Sequence, residues 1–329
     1  MSEALVPLLF RPVYKEYLWG GTRLLDRFGR DEAPRPCAES WEVSAHPDGP
    51  SVVEGGPFAG RSLADLCAEY GEALLGRNAG GAKFPVLAKI IDARDRLSLQ
   101  VHPNDENAAR THGEPKTEMW YFLEAPEGAV VCAGLKKGVG PRVFADAAKQ
   151  GTLPSLLNAA PAVAGKALFI PGGLVHAICE GCLVFEVQQS SNTTYRVYDW
   201  GRIGADGKPR ELHIAQAMES IDWKLGAMEL STPFPMPAAA PGNVRERVVR
   251  SEFFTMERWA LRAPEPMVAD GASFRILFAP GGPLEIRSAA LAEPFAVPAG
   301  RSALVPASFG EYTLAGAGGE PAAALAVEV

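Results

Sequence analysis

Short runs in which apolar and polar residues alternate dominate this chain, and most are closed off by glycine or proline. Alternation of period two places successive side chains on opposite faces of a strand. It predicts strands at Val86 to Asp92, Leu97 to His102, Thr117 to Leu123, Ala167 to Ile170, Leu174 to Ile178 and Leu183 to Gln189. A helical period replaces it in a few windows. Ser62 to Gly76 carries Leu63, Leu66, Cys67, Tyr70 and Leu74 behind a serine N-cap, and shorter signals lie at Val143 to Leu157 and Leu212 to Trp223.

Between Trp223 and Gly242 the chain is rich in proline and alanine and has no period, which reads as a linker. Beyond it, strands are predicted at Phe253 to Leu261, Phe274 to Phe278, Leu284 to Ser288, Ala303 to Pro306 and Glu311 to Ala315, a second small all-β barrel. A faint repeat relates the two parts. GKALFIPGGLVHAI from Gly165 aligns with GRSALVPASFGEYTL from Gly300 once one inserted residue is allowed, with Pro171 on Pro306 and His176 on Glu311. The predicted division is one unit over residues 1–240 and a second over 241–329.

Composition sharpens this picture. Gly 34 and Pro 28 make up nearly a fifth of 329 residues, against a usual share of about 12%, which favours many short strands joined by tight turns over long helices. The net charge of -7, with no basic cluster, leaves no footprint for nucleic acid, so any anionic ligand is small and bound locally. Five scattered cysteines (Cys37, Cys67, Cys132, Cys179, Cys182) suit a reducing compartment better than a disulfide framework. The opening MSEALVPLLFRPVYKEYLWGG shows neither a basic leader nor a long apolar run. A cytoplasmic protein without a signal peptide or membrane span is expected.

Three segments carry candidate chemistry. In SLQVHPND, residues two apart share a face, so Ser98, Gln100 and His102 point together. In PKTEMWYFL the same rule aligns Lys116, Glu118 and Trp120, and His176 stands on a strand just after Pro171-Gly-Gly. Two imidazoles, a carboxylate and an amide oxygen facing inward suffice for most of a divalent-metal shell with an open position. One histidine alone on a strand is more often a core or rim residue; three segments agreeing in direction favour a site. Cys179-Glu-Gly-Cys182 reads as a turn with incidental cysteines, His46 and His112 as turn or surface residues, and His213 as a packed or solvated helix residue.

The spacing Gly165, Pro171, Gly173, His176 follows the second cupin motif, and Gln100-Val-His102 with Glu118 looks like the first, with glutamine for the leading histidine and a longer insertion before the acid. Together with LWGG, ESWEVSAHP, KTEMWYF and FEVQQSSNTTYRVYDWGR, this resembles the type I mannose-6-phosphate isomerases in their short bacterial form, over roughly residues 7 to 215. The resemblance implies a mainly β fold of two cupin-like (jelly-roll) barrels, with a few short helices inserted in and around the first. Residues 1–240 would form the catalytic cupin domain, and 241–329 a cupin-like domain lacking metal ligands. It further implies one zinc ion per chain on Gln100, His102, Glu118 and His176, and functional roles for Lys116, Glu186 and Arg196. Trp19, Glu39, Ser40 and Trp41 resemble residues near a sugar pocket, with Trp19 and Ser98 as candidate substrate contacts. The implied partner is a small sugar phosphate, and the assembly a monomer or homodimer.

A hairpin at Glu180-Gly181 would pair the strands bearing His176 and Glu186. With a two-residue turn Glu186 points away from the metal; a third loop residue or a bulge turns it inward, as the resemblance requires. Aldose–ketose interconversion moves a proton between C2 and C1 through a cis-enediol, so the site needs a redox-silent cation and an acid–base group. Either Lys116 or Glu186 can serve as that group, while the permanently charged Arg196 suits a phosphate or an enediolate oxygen. The competing readings are another metal-dependent cupin enzyme, such as an oxygenase or a different sugar isomerase, and a non-catalytic sugar-binding cupin.

Overall fold

A computed structural model describes residues 3–81, 83–204 and 207–329, and shows a mainly β protein with a few short helices. Among the described residues the strands pair antiparallel, in four sheets. A five-stranded sheet runs in the order Tyr195–Tyr198, Leu99–Val101, His176–Ile178, Val130–Leu135, Leu157–Pro161. A six-stranded sheet runs Ala167–Ile170, Glu118–Glu124, Leu183–Gln189, Val86–Asp92, Glu39–Val43, Val13–Lys15. Strands from Phe234–Met236 to Ala322–Glu328, joined by Leu8–Arg11 and Val52–Val53, form an eight-stranded sheet, and Glu265–Ala269, Gly310–Gly316, Leu284–Arg287 and Phe295–Val297 form the fourth.

Apolar alternation sets how these sheets stack. Met119, Phe185, Val187, Ala88 and Ile90 of the six-stranded sheet pack against Phe10, Met256, Ile276, Phe278 and Leu304 of the eight-stranded sheet. Their neighbours Trp120, Phe122, Val184 and Ile91 point the other way, onto Val131, Ala133 and Ile178 of the five-stranded sheet. Trp259, Leu277, Ala303 and Ala324 likewise turn from the eight-stranded sheet towards Leu284, Ile286 and Leu314 of the fourth. The six- and eight-stranded sheets are therefore covered on both faces, which is why Val86–Asp92 is buried at every position. Helices Pro141–Gln150 and Ile214–Ser220 place Phe144, Ala147 and Ala217 over the outer face of the five-stranded sheet, against Leu99, Val101 and Ala177.

The predicted strands appear at or near their expected positions, and the window at Ser62 forms helix Leu63–Tyr70, with the Ser62 side chain accepting from the Asp65 N–H. The stretch read as a linker carries structure of its own. Ser231 N–H donates to the Ala167 carbonyl, and Phe234–Met236 pairs with Val244–Arg250, so proline here sits on an edge strand. The aligned segments behave alike. Each begins at a glycine with positive φ (Gly165 78°, Gly300 73°), runs along an inner sheet to Ile170 or Val305, and crosses at proline to an outer sheet. No helix of the described residues is long and apolar enough to cross a membrane.

The first strand of the chain joins the sheet built mainly from its last third, with Leu8 opposite Leu304. Phe185 and Phe278 stack across the central interface with ring centroids 4.6 Å apart. Truncating a fully buried phenylalanine removes its transfer energy and leaves a cavity. Phe278→Ala should lower unfolding stability by about 3–5 kcal/mol in urea titrations; a loss under about 1 kcal/mol would show that the two halves do not depend on this contact.

Candidate active site

Two rows of side chains meet between the five- and six-stranded sheets. Arg196, Gln100 and His176 lie abreast on three neighbouring strands, because Gln100 is the register partner of both others. Leu99 and Val101 pack outward beneath the helices, so the pleat sends Gln100 inward. On the facing sheet, Trp120, Glu186, Lys89 and Trp41 form one row, and Glu118 stands beside Gln188 in the next. His102 follows the end of Leu99–Val101, and Lys116 precedes Glu118–Glu124.

The hairpin expected between His176 and Glu186 does not form. His176–Ile178 is bonded on both sides within the five-stranded sheet, Leu183–Gln189 within the six-stranded one, and the turn carries the chain from one to the other. Glu186 therefore faces His176 across the interior, and the length of the turn has no bearing on its direction.

His102, Glu118 and His176 bring their donor atoms within 4.8 Å of one another, and all three are buried. His102 Nε2 lies 3.4 Å from Glu118 Oε2, and His176 Nε2 lies 3.3 Å from Glu118 Oε1. Each imidazole donates its Nδ1–H to a backbone carbonyl at 2.8 Å, His102 to Thr193 and His176 to Leu174. A carbonyl only accepts, so both rings must carry their proton on Nδ1 when neutral, and both Nε2 lone pairs then aim at the carboxylate. Gln100 closes the fourth side, its amide 3.2 Å from His176 Nε2; a half-turn of that amide presents Oε1 to the same point. Two imidazole lone pairs and a carboxylate that converge, with only the Lys116 ammonium beside them, fit a cation.

Around this group runs a buried network of ions. Lys116 Nζ lies 2.8 Å from Glu118 and 3.1 Å from His102, while Lys89 Nζ bridges Glu186 at 3.1 Å and Glu39 at 3.3 Å. Trp120 Nε1–H donates to Glu186 at 3.0 Å and Trp41 Nε1–H to Glu39 at 2.8 Å. Glu118 Oε2 and Glu186 Oε1 are fully buried and meet only ammonium groups and imidazole nitrogen, Lys116 Nζ at 2.8 Å and Lys89 Nζ at 3.1 Å respectively, with no further hydrogen-bond donor. Burial and the charge of Lys116 pull His102 down to about 3, and burial lowers His176 as well. Burial would raise Glu118, but Lys116 and the imidazoles hold it well below the usual carboxylate range. At Glu186 burial and the charge of Glu118 prevail over Lys89 and Lys116, and push it up to about 7.

A cavity of about 280 Å³ opens onto this network. Gln100, Lys116, Glu186, Lys89 and Glu39 form its polar floor; Trp19, Tyr17, Ile91 and Leu97 form an apolar wall; Arg196, Arg210, Asn192, Thr194 and His213 stand on the remaining side. Ser98 also lines it, its Oγ 3.5 Å from the Gln100 amide oxygen. Trp19 serves both as core residue and as cavity wall, stacked on Tyr17 at 5.5 Å. Arg196 Nη1 donates to the Glu211 carbonyl at 3.2 Å, and its buried Nε has no partner.

The nine residues read from the sequence as metal-binding, catalytic or substrate-contacting thus converge on one region, with Glu39, Trp41 and Trp120 beside them, whereas Ser40 faces the other side of its strand and bonds to Arg30 and Glu42. Lys89, Asn192, Thr194 and Arg210 were missed. Lys89 had a signal, an ammonium group in the middle of the otherwise apolar strand VLAKI; the others lie on loops whose course no periodicity announces. Two histidines do more than the sequence suggests. His46 opens the turn closed by the Gly49 N–H, yet is buried and bonded to Glu114 at 3.0 Å, and His213 packs at the start of helix Ile214–Ser220 and lines the cavity, its Nδ1 accepting from the Arg196 N–H at 3.2 Å. His112 is an exposed turn residue with φ of 56°, and Cys179 and Cys182 are unpaired thiols on either side of a turn.

Comparison with known proteins bears on this geometry. Residues 8–133 match the model of the phosphomannose isomerase type I catalytic domain. The mannose-6-phosphate isomerase of Streptococcus mutans is 38% identical over 256 residues, 78% of this chain and 79% of its own. The chain belongs to the type I mannose-6-phosphate isomerases. The family member ManA of Bacillus subtilis is 41% identical over 218 residues, covering 66% of this chain and 68% of its own. A crystal structure of the mannose 6-phosphate isomerase from Bacillus subtilis superposes with a TM-score of 0.88 at 31% identity, covering 99% of this chain and 100% of that one. A zinc-bound holo mannose 6-phosphate isomerase shares the fold, with a TM-score of 0.75 at 17% identity over 98% and 99% of the two chains.

The raised value of Glu186 has a thermodynamic consequence. A carboxyl whose pKa rises on folding contributes stability that is complete below its unfolded value and is lost as pH climbs through the folded one. In the metal-free protein, Glu186→Gln should therefore become progressively more stable than the parent between about pH 5 and about pH 8. Thermal unfolding across that range checks this, and a pH-independent difference would contradict the assignment.

Proposed function

We propose that this chain interconverts mannose 6-phosphate and fructose 6-phosphate through a cis-enediol, using one zinc ion held by Gln100, His102, Glu118 and His176. The observation that carries the reading is the convergence of two Nε2 lone pairs on the buried Glu118 carboxylate at the floor of a sugar-sized cavity. Nitrogen and oxygen donors with an open side suit zinc. When bound, the ion supplies a redox-silent positive charge that polarises substrate oxygens.

The chain's own residues account for the rest of the reaction. Glu186 is the proposed proton carrier: it lines the cavity, and a value near 7 lets it take a proton from C2 and return it to C1. Lys116, already donating towards Glu118 and His102, directs positive charge at the developing enediolate. The apolar wall of Trp19, Tyr17 and Leu97 keeps bulk water from the transferred proton.

The phosphate is proposed to lie at the Arg196 and Arg210 side. Arg202 and Arg210 share the single carboxylate of Asp199, leaving Arg196 without an acidic partner among the described residues. Burial and its guanidinium neighbour Arg210 lower the Arg196 pKa, so a dianion relieves repulsion already present. Ser98 is a proposed hydroxyl contact.

Two jelly-roll units are the proposed organisation, residues 1–240 catalytic and 241–329 supporting, with the initial strand exchanged into the second. The like crossings at Pro171 and Pro306 support it, and Glu311, exposed where the first unit has His176, is consistent with a second unit without metal chemistry. Five unpaired thiols support a reducing, cytoplasmic location.

A coupled isomerase assay with elemental analysis tests the reading. His102→Ala should lose zinc and turnover together, whereas Arg196→Ala should keep zinc and lose about a hundredfold or more of turnover, roughly what misplacing a substrate held by a positioning clamp costs. Glu186→Gln should abolish exchange of the substrate C2 hydrogen with D2O while zinc stays bound. Exchange at the parental rate would assign the base to Lys116.

A further inference from the structure

We infer that Glu114, held by His46, is a positioning residue for the His102 imidazole, acting through the loop of residues 190–194. The inference rests on the proposal that His102 binds the metal. On the side away from the metal position, His102 is held by its Nδ1–H, which donates to the Thr193 carbonyl at 2.8 Å. A backbone acceptor fixes a ring only as firmly as its own loop is fixed. Thr193 lies in the connection between Leu183–Gln189 of the six-stranded sheet and Tyr195–Tyr198 of the five-stranded sheet, where no ladder holds it.

Glu114 supplies what the ladder does not. Its carboxylate accepts from the Asn192 N–H at 3.0 Å, its own N–H donates to Thr193 Oγ1 at 2.9 Å, and its carbonyl accepts from Ser191 Oγ at 3.2 Å. Three consecutive loop residues are thus tied to one residue four positions before Glu118. Gly113 makes the approach possible, because a Cβ there would stand 2.4 Å from the Tyr195 hydroxyl and 2.8 Å from the Thr193 methyl.

His46 fixes the carboxylate in turn. Its Nδ1 accepts from the Asp48 N–H at 3.2 Å, which leaves Nε2 as the protonated nitrogen, and Nε2–H donates to Glu114 at 3.0 Å. The ring is buried and packs edge-on against Trp41 at 6.1 Å. Asp48 also accepts from Asn192 Nδ2 at 2.7 Å, closing the circuit on the same loop. A chain of hydrogen bonds therefore runs from His46, itself packed on Trp41, through Glu114 and Thr193 to His102 Nδ1.

Partners that orient a metal-binding histidine typically contribute 10–100-fold to metal affinity. Glu114→Ala should weaken zinc binding about tenfold, read by competition against a chromophoric chelator. Glu114→Gln should restore most of it, since its amide oxygen still accepts from Asn192 N–H or His46 Nε2–H. His46→Gln, a milder change at the far end of the chain, should show a smaller loss in the same direction. The metal-free proteins are melted in parallel: weaker zinc binding at an unchanged apo Tm marks positioning, and if Glu114→Ala melts early, the Gln variants decide on the same two readings. Parental affinity in Glu114→Ala would overturn the inference, as would equal losses in the Ala and Gln variants. A parent that binds no zinc would instead sink the metal reading on which it stands.

Discussion

Everything around the site answers to one constraint: three carboxylates, two ammonium groups and two imidazoles must coexist, nearly all of them buried, between two sheets. Glu39, Glu118 and Glu186 face Lys89 and Lys116, so with all three carboxylates ionised the group carries one surplus negative charge. Each buried charge forfeits hydration worth several kcal/mol even after the protein relaxes. Pairing and the two indole N–H donors recover part of this. Glu118 and Glu186 nonetheless keep fewer donors than two buried carboxylates can accept, which is where a cation and a mobile proton have their uses. A site made of fully satisfied polar groups would be more stable and would have nothing to offer a substrate.

Such a cluster needs rigid walls, and the layered sheets provide them. Val86–Asp92, Glu118–Glu124 and Leu183–Gln189 each alternate between one face packed on the eight-stranded sheet and one face turned to the charges. The apolar interface on the far side offsets the cost of the polar one. The C-terminal sheets contribute no side chain to the cavity, yet Met256, Ile276 and Phe278 hold the strands that carry Lys89 and Glu186 in place.

Backbone carbonyls complete the arrangement. By accepting from Nδ1, those of Thr193 and Leu174 select the tautomer that frees Nε2 on both imidazoles. The five-stranded sheet fixes His176 directly through its ladder, whereas His102 stands past the end of its strand and depends on a loop. This asymmetry explains why hydrogen-bonding side chains gather around residues 190–194 and not around residue 174.

The inward direction of Gln100, Glu118 and His176 was legible in the sequence, because strand period is a local property that two-residue spacing encodes, and the metal-capable set could be written down from it. The strands Val86–Asp92 and Leu183–Gln189 were legible for the same reason. Lys89 was not recognised, since its meaning depends on Glu186 and Glu39, which are distant in sequence and adjacent only after three strands pair. Nor could the sequence decide whether His176 and Glu186 share a hairpin or face each other across a gap: a turn of given length fits both, and only competition among all strands for partners chooses. The same holds for His46, which reads as a turn residue until Glu114 and Trp41 close around it. Period and composition determined which faces are dry and which donors are available; long-range pairing alone determined which of those donors meet.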